Sequence, residues 1–170
     1  MGIPLKHEKV RLIIGLIGKE SLFDDVKKVL IKKFGSIDYE SECLNFNFTD
    51  YYNAEIGTDL KRKFLSFKKY FLPEELSDIK LFTNKVEEKF QEMPGKRRVN
   101  IDPGYLNLSK LVLATTKDHQ HRLYVGKGIF AEVTLRYRGK TFMGWDWTYP
   151  DYQSVEYIKI FNHIRNNLLK

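Results

Sequence analysis

The sequence predicts one α+β domain that spans residues 1–170. Apolar residues follow helical spacing in some segments and strand alternation in others, and up to residue 101 these segments have the order β-α-β-β-α-β. That order is ferredoxin-like, and we expect additional antiparallel strands and a C-terminal helix to follow it. The chain has the size of one compact domain, and no linker, internal repeat or low-complexity segment divides it.

The first strand and the first helix follow from the apolar pattern. Residues 10–17 are almost all apolar, as expected of a strand that is covered on both faces. In the helix that follows, Ser21 and Asp24 resemble a capping box, and Gly35 can supply a left-handed end. The apolar stripe of this helix consists of Leu22, Val26, Val29, Leu30 and Phe34.

Two strands are predicted between the helices. Leu44, Phe46 and Phe48 alternate with polar residues, as in a half-buried strand. The apolar residues of segment 59–71 fit helical spacing as well as strand alternation. We favour a strand, because the turn-forming residues 53–57 would then close a hairpin.

A second helix begins at Pro73, a residue that is favoured in the first helical turn. Its buried stripe consists of Leu76, Ile79, Phe82, Val86 and Phe90. Lys80, Asn84 and Glu87 form a polar stripe beside it, which we expect to face solvent. The remaining predicted elements are strands at residues 99–101, 111–115, 122–125, 129–137 and 141–147, and a helix at residues 154–169.

Composition and charge exclude several classes of protein. Hydrophobic residues make up 42% of the chain, which is enough for a core and excludes a disordered protein. The net charge of +7 fits either solubility alone or attraction to nucleic acid, nucleotides or an anionic membrane surface. The single cysteine, Cys43, excludes an intrachain disulfide and a multi-cysteine zinc site. Because no secretory signal or membrane-spanning segment is present, we expect a cytoplasmic protein without membrane association.

Arg98, Asn100 and Asp102 place three polar groups on one face of a predicted strand, about 7 Å apart. A guanidinium, an amide and a carboxylate in a row can bind a phosphate together with a sugar or a base edge. For Asp102 an alternative is a structural turn, because Asp-Pro-Gly at residues 102–104 is also a turn signature. Tyr105, directly after it, completes this group of candidate ligand-binding residues.

A second polar segment follows the predicted strand 111–115. Thr116, Lys117, His121 and Arg122 would suit a phosphate at the end of that strand, although a solvated basic loop has the same composition. Two histidines and an aspartate in this segment raise the question of a metal site. Their spacing matches no established metal motif, so we predict none.

Glu132 is the candidate general base, because it lies among cations on a predicted strand. The alternative is an ordinary cross-strand salt bridge, which contributes little when it is exposed. We take Glu132, His121 and Asp102 as candidate catalytic residues. The chain lacks the phosphate-binding G-x-x-x-x-G-K-[ST] loop, the G-x-G-x-x-G turn and the G-x-S-x-G elbow. A conventional GTPase is therefore disfavoured.

Separated blocks over nearly the whole chain resemble those of one protein family. The blocks comprise Tyr51-Tyr52, Glu55, Gly57, Lys80, Thr83-Asn84, Glu87, Arg98, Asn100, Asp102-Pro103-Gly104-Tyr105, Ala114-Thr115-Thr116-Lys117-Asp118, His121-Arg122, Ala131-Glu132, Thr134-Leu135 and Thr148-Tyr149-Pro150-Asp151-Tyr152. They are similar to DUF4416, an uncharacterised bacterial family. The resemblance implies a small soluble bacterial protein, and some family members carry the label GTP-binding protein. It supplies no established site residues.

These observations predict a protein that binds a nucleotide or another phosphorylated small molecule in a polar pocket. The pocket requires Arg98, His121 and Glu132 to converge on one cavity. Whether a reaction follows binding, and with which cofactor, stays open. One alternative is an RNA-binding or protein-interaction module that uses the basic surface. Another is a purely structural protein whose polar residues fix turns and a buried hydrogen-bond network.

Overall fold

The computed structural model describes residues 2–169, which contain three α-helices and one sheet of nine strands. The strands are β1 (Val10–Gly18), β2 (Ile37–Glu40), β3 (Leu44–Asn45), β4 (Lys61–Phe71), β5 (Val99–Leu106), β6 (Lys110–Thr115), β7 (Leu123–Gly126), β8 (Ile129–Arg138) and β9 (Thr141–Met143). The helices are α1 (Phe23–Phe34), α2 (Leu76–Lys89) and α3 (Val155–Asn167). This arrangement confirms the predicted α+β class and the C-terminal helix.

All strand pairs in the sheet are antiparallel. The order is β2-β4-β1-β5-β6-β8-β7, and the short strands β3 and β9 pair with β4 and β8. The sheet is therefore built mainly from neighbours in sequence, with β1 inserted between β4 and β5. None of the helices within residues 2–169 is long and apolar enough to cross a membrane.

Helices cover both faces of the sheet around β1, and every residue of this strand is buried. On the face that carries α1 and α2, Leu16 shares a core with Val26 of α1 and Leu76 of α2. On the other face Ile13 packs in a second core with Phe161 of α3. The continuous apolar run at residues 10–17 is therefore explained, because both faces of β1 contribute to a core.

The ends of α1 confirm one predicted signal and contradict another. The capping box is wrong, because α1 begins at Phe23 and its N-cap residue, Leu22, makes no side-chain cap hydrogen bond. The predicted glycine end is confirmed, because Gly35 directly follows the helix and has a positive φ of 90°, which glycine adopts readily.

The strands between α1 and α2 differ in part from the prediction. The strand at residues 59–71 is confirmed, since β4 covers most of that segment. The strand predicted around Phe46 ends at Asn45. The sequence pattern gives no indication of β2.

β5 and β6 separate along half of their length, and this separation creates the candidate site. The two strands pair only between residues 104–106 and residues 111–113. At the last paired position a side chain would not fit, because a Cβ atom on Gly104 would clash with the carbonyl oxygen of Val112. The glycine therefore allows the strands to approach closely just before they diverge.

Side chains of helix α2 form hydrogen bonds with main-chain groups of β5 that β6 would otherwise pair. Glu87 accepts the N–H of Ile101 at 2.6 Å, and Lys80 donates to the C=O of Ile101 at 3.0 Å. Both side chains are buried, so the predicted solvent-facing stripe is wrong for them. Pro103 faces the same side two residues later and has no N–H to offer to β6. Asp102 lies within β5, so the predicted strand is confirmed there and the alternative of a structural turn is wrong.

Candidate functional site

A cavity of about 700 Å³ opens where β5 and β6 separate. Its walls come from both strands and from single residues on β4, α2 and β8, namely Arg62, Lys80 and Glu132. Arg97, which precedes β5, and connecting residues around 46–55, 116–122 and 149–152 complete the lining. The volume lies within the range of small-molecule binding sites, and the lining combines aromatic rings with charged and amide groups.

The structure brings most of the predicted site residues together. The cavity is lined by six of the nine, namely Asn100, Asp102, Thr116, Lys117, Arg122 and Glu132. His121 lies behind this wall and contacts Glu132. Chain segments that are far apart in the sequence therefore converge, as the predicted pocket requires.

Arg98 and Tyr105 do not line the cavity. Arg98 is exposed and precedes the first residue of β5, whereas its neighbour Arg97 lines the cavity. Tyr105 is buried in the core below α1 and α2, where its ring packs edge-on against Phe71. The predicted convergence of residues 98, 121 and 132 on one cavity is therefore wrong for Arg98, whose neighbour Arg97 lines the cavity instead, and for His121, which contacts Glu132 but does not line the cavity.

Arg62 of β4 holds two carboxylates in the cavity wall. Its guanidinium is only 2% exposed and donates to Asp102 Oδ2 at 3.1 Å and to Asp151 Oδ2 at 3.0 Å. Aromatic rings enclose it at 5.2 to 5.8 Å from their centroids, and they belong to Phe46, Phe64, Tyr152 and Tyr157. Burial raises the pKa of Asp151, and the neighbouring Arg62 opposes this shift. Arg62 thus fixes the orientation of both carboxylates.

Gly15 of β1 makes room for this guanidinium. A Cβ atom at position 15 would lie 2.8 Å from Nη1 of Arg62. The sequence carries no local signal for the arrangement, because Asp102 and Asp151 lie 40 and 89 residues away from Arg62.

Arg97 connects another part of the cavity wall through hydrogen bonds to acidic side chains. Its guanidinium makes two hydrogen bonds to Glu55, at 2.5 and 2.7 Å, and one to Glu87 Oε2 at 2.9 Å. A hydrogen bond to Arg97 lowers the pKa of Glu55. Arg97 therefore ties the segment between β3 and β4, which carries Glu55, to helix α2.

The same guanidinium determines how the Asn100 amide is oriented. Arg97 Nη1 donates to Asn100 Oδ1 at 3.0 Å, and a guanidinium can only donate. The amide nitrogen of Asn100 must therefore point away from Arg97. Asn100 is 5% exposed, and its Nδ2 has no hydrogen-bond partner among the described residues. A buried amide donor thus lies unpaired in the wall of the cavity.

The Glu132 carboxylate accepts three hydrogen bonds from neighbouring side chains. One oxygen accepts from His121 Nε2 at 3.0 Å and from Arg122 Nε at 2.9 Å, and the other accepts from the Thr134 hydroxyl at 3.3 Å. His121 in turn stacks on Trp147, with ring centroids 5.4 Å apart and an angle of 15°. These contacts favour the salt-bridge interpretation of Glu132 over a general base.

Lys117 differs from the three arginines that line the cavity. Its ammonium donates to the hydroxyl of Tyr51 at 2.6 Å and lies 4.5 Å from the centre of that ring. No carboxylate among residues 2–169 forms an ion pair with it, whereas Arg62, Arg97 and Arg122 each pair with acidic side chains. Lys117 is also exposed, so it can meet an incoming anion at the mouth of the cavity.

Asp102 is the lining carboxylate with an unused oxygen. Arg62 binds its Oδ2, and Oδ1 makes no hydrogen bond to the described residues. Its side chain is 24% exposed, so Oδ1 can accept a hydrogen bond or a proton from a molecule in the cavity. Within residues 2–169 no group of three or more His, Cys, Asp or Glu side chains is arranged to hold a metal ion.

Comparison with known proteins identifies the family of this chain. No curated protein and no solved structure matched the sequence. The family model described as domain of unknown function (DUF4416) matches residues 8–168, which is nearly the whole chain. The chain therefore belongs to the DUF4416 family.

Proposed function

We propose that the cavity binds a nucleotide or another phosphorylated small molecule. The observation that carries the proposal is the unpaired amide donor of Asn100, buried in the wall of a cavity with a cation, Lys117, at its mouth. A buried donor without an acceptor costs about 1–3 kcal/mol. A ligand that carries acceptor oxygens and a negative charge would satisfy both groups at once.

Further cavity residues fit the same ligand. The Thr115 and Thr116 side chains lie next to Lys117 at the end of β6 and can donate hydroxyl hydrogen bonds to a phosphate. The exposed rings of Tyr51 and Tyr149 also line the cavity and offer faces on which a base could stack.

Thermal shift and calorimetric titration with phosphate, nucleotides and sugar phosphates test the proposal. At least one phosphorylated compound should raise Tm, because a ligand that binds only the folded protein stabilises it. Lys117→Glu should weaken that binding about tenfold or more, which corresponds to about 1.4 kcal/mol. Lys32→Glu on the exposed face of α1 is the matched control and should leave the dissociation constant unchanged.

The proposal fails if no phosphorylated compound raises Tm, or if both lysine variants have the same effect. Single-stranded RNA belongs in the same titration, because the net charge also fits an RNA-binding module. Tight RNA binding with a steep salt dependence, and no binding of small phosphates, would favour that alternative.

We further propose a ferredoxin-like order for the first half of the fold and a cytoplasmic location. The first is supported by the adjacent antiparallel strands β2-β4-β1-β5, with α1 and α2 packed on one face. The second rests on the proposed ligand class, because cells make and use nucleotides and sugar phosphates mainly in the cytoplasm. Structural alignment of an experimental structure and cell fractionation test these two points.

A further inference from the structure

The two ends of the cavity differ in chemistry and in exposure. Lys117 and Thr116 are exposed at one end, where a cation and a hydroxyl can bind an anion. Asn100, Asp102 and Asp151 line the more buried part, where two carboxylates are held by Arg62. Asp102 and Asp151 share the single guanidinium of Arg62, so this cluster carries a net negative charge and favours an uncharged portion of the ligand over its phosphate.

The buried part presents one donor and one acceptor on the same strand face. Asn100 Nδ2 can only donate, and its orientation is fixed by Arg97. The unused oxygen of Asp102 can only accept while the carboxyl group is ionised, and its orientation is fixed by Arg62. The two residues are two positions apart in β5, which places their Cα atoms about 7 Å from each other.

Hydroxyl groups match this pair, because each hydroxyl can donate to Asp102 while its oxygen accepts from Asn100. We infer that the ligand is a sugar phosphate or nucleoside phosphate, bound with its phosphate at Lys117 and its sugar hydroxyls between Asn100 and Asp102. This inference rests on the proposed function and adds the ligand class and its direction in the cavity. An aliphatic phosphate would leave the buried Asn100 donor unpaired and would offer no hydrogen to the unused oxygen of Asp102.

Paired ligands with and without hydroxyls test the inference. We would compare nucleoside monophosphates with their 2′,3′-dideoxy counterparts, and ribose 5-phosphate and glucose 6-phosphate with hexyl phosphate, by isothermal titration calorimetry. In the wild type the best hydroxylated compound should bind about tenfold or more tightly than its hydroxyl-free match. A site built to hydrogen-bond a hydroxyl rejects the analogue that lacks it.

Asp102→Asn then reverses one hydrogen-bonding group without changing its shape. Because Arg62 can only donate, the amide oxygen must stay on Arg62 and the amide nitrogen must face the cavity. The preference for the hydroxylated compound should therefore fall to about twofold or less. Lys117→Glu should weaken both members of each ligand pair by the same factor and leave their ratio unchanged.

If Asp102→Asn does not fold, Asn100→Asp provides the second variant, because it leaves the contact between Arg62 and Asp102 in place. It should lower the same ratio, since an acceptor replaces the donor. Two outcomes would overturn this inference but leave the proposed function in place. One is equal binding of hydroxylated and hydroxyl-free phosphates to the wild type, and the other is a full preference for the hydroxylated compound in a folded variant. If no phosphate compound binds at all, the proposed function fails as well.

Discussion

Arg62 is the residue on which the geometry of the cavity wall depends most. It lies among four aromatic rings and is paired with Asp102 and Asp151, so its charge is removed from water but compensated on two sides. Breaking a buried ion pair is costly, because the remaining charge loses its partner while it stays buried. The cluster therefore contributes both to the stability of the fold and to the geometry of the candidate site.

Arg62→Met should lower the free energy of unfolding by about 3–5 kcal/mol, since two carboxylates would lose their cationic partner. Urea unfolding at pH 7 measures the loss. The triple variant Arg62→Met, Asp102→Asn, Asp151→Asn removes all three charges and should recover part of the stability. If the triple variant is less stable than Arg62→Met alone, compensation of the buried charges is not what holds this cluster together.

At this scale the sequence predicts some residues and misses others for identifiable reasons. Asn100 and Asp102 can be found because strand alternation alone places them on one face. The same alternation favours Arg98 over Arg97, since it extends the strand back by one residue, but β5 begins at Val99. Arg62 has no local signal, because a buried arginine is recognised only by partners that lie far away in the sequence.

Helix α2 acts as a substitute for a strand along the open half of β5. Lys80 and Glu87 satisfy both main-chain groups of Ile101, so β6 can diverge without leaving them unpaired. In the sequence these two residues form an ordinary polar stripe. Helical spacing cannot tell a stripe that faces solvent from one that faces the edge of a strand.

Lys80→Met keeps the length of the side chain but cannot donate a hydrogen bond to the carbonyl of Ile101. A buried carbonyl without a donor costs about 1–3 kcal/mol, so the variant should be destabilised by that amount in urea unfolding. Lys85→Met on the exposed face of α2 is the matched control and should be close to neutral. Equal stability of the two variants would show that the hydrogen bond from Lys80 to the Ile101 carbonyl does not stabilise the fold.

The segment between β3 and β4 is attached to the cavity wall through Glu55 and Arg97. Arg97 lowers the pKa of Glu55, so the contact stabilises the fold above the unfolded-state value of 4.5 and is lost as pH falls through the lower folded-state pKa. Glu55→Gln should therefore destabilise the protein at pH 7, by about 1 kcal/mol or less because the pair is partly exposed. The difference from wild type should shrink as the pH is lowered from about 5 to about 3.

Urea unfolding of wild type and Glu55→Gln over this pH range measures the effect. A difference that stays constant with pH would mean that the carboxylate charge is not what anchors the segment. Lys27 and Glu40 form a comparable ion pair away from the cavity, so Glu40→Gln serves as a control. Only Glu55→Gln should also increase proteolytic cleavage within residues 50–57.

For the whole molecule, the net positive charge and the charges that line the cavity support different conclusions about a ligand. The net charge of +7 is a property of the entire surface, whereas most cations that line the cavity are paired with carboxylates. The total charge alone suggests an anionic partner without indicating where it binds. The local pattern instead indicates one cationic end and one hydrogen-bonding end.

Charge variants outside the cavity separate these two sources of attraction. Lys32→Glu combined with Arg138→Glu lowers the formal net charge from +7 to +3, and both residues are exposed and do not line the cavity. A phosphate ester that binds in the cavity should keep its dissociation constant within about twofold at about 0.15 M salt, where the screening length is about 8 Å. RNA held by the general surface charge should bind about tenfold or more weakly, because its affinity depends on the number of phosphates neutralised. Calorimetry for the ester and fluorescence polarisation for RNA measure the two affinities side by side. If the ester loses affinity in parallel with RNA, the small molecule is held by the surface charge, and the cavity is not its binding site.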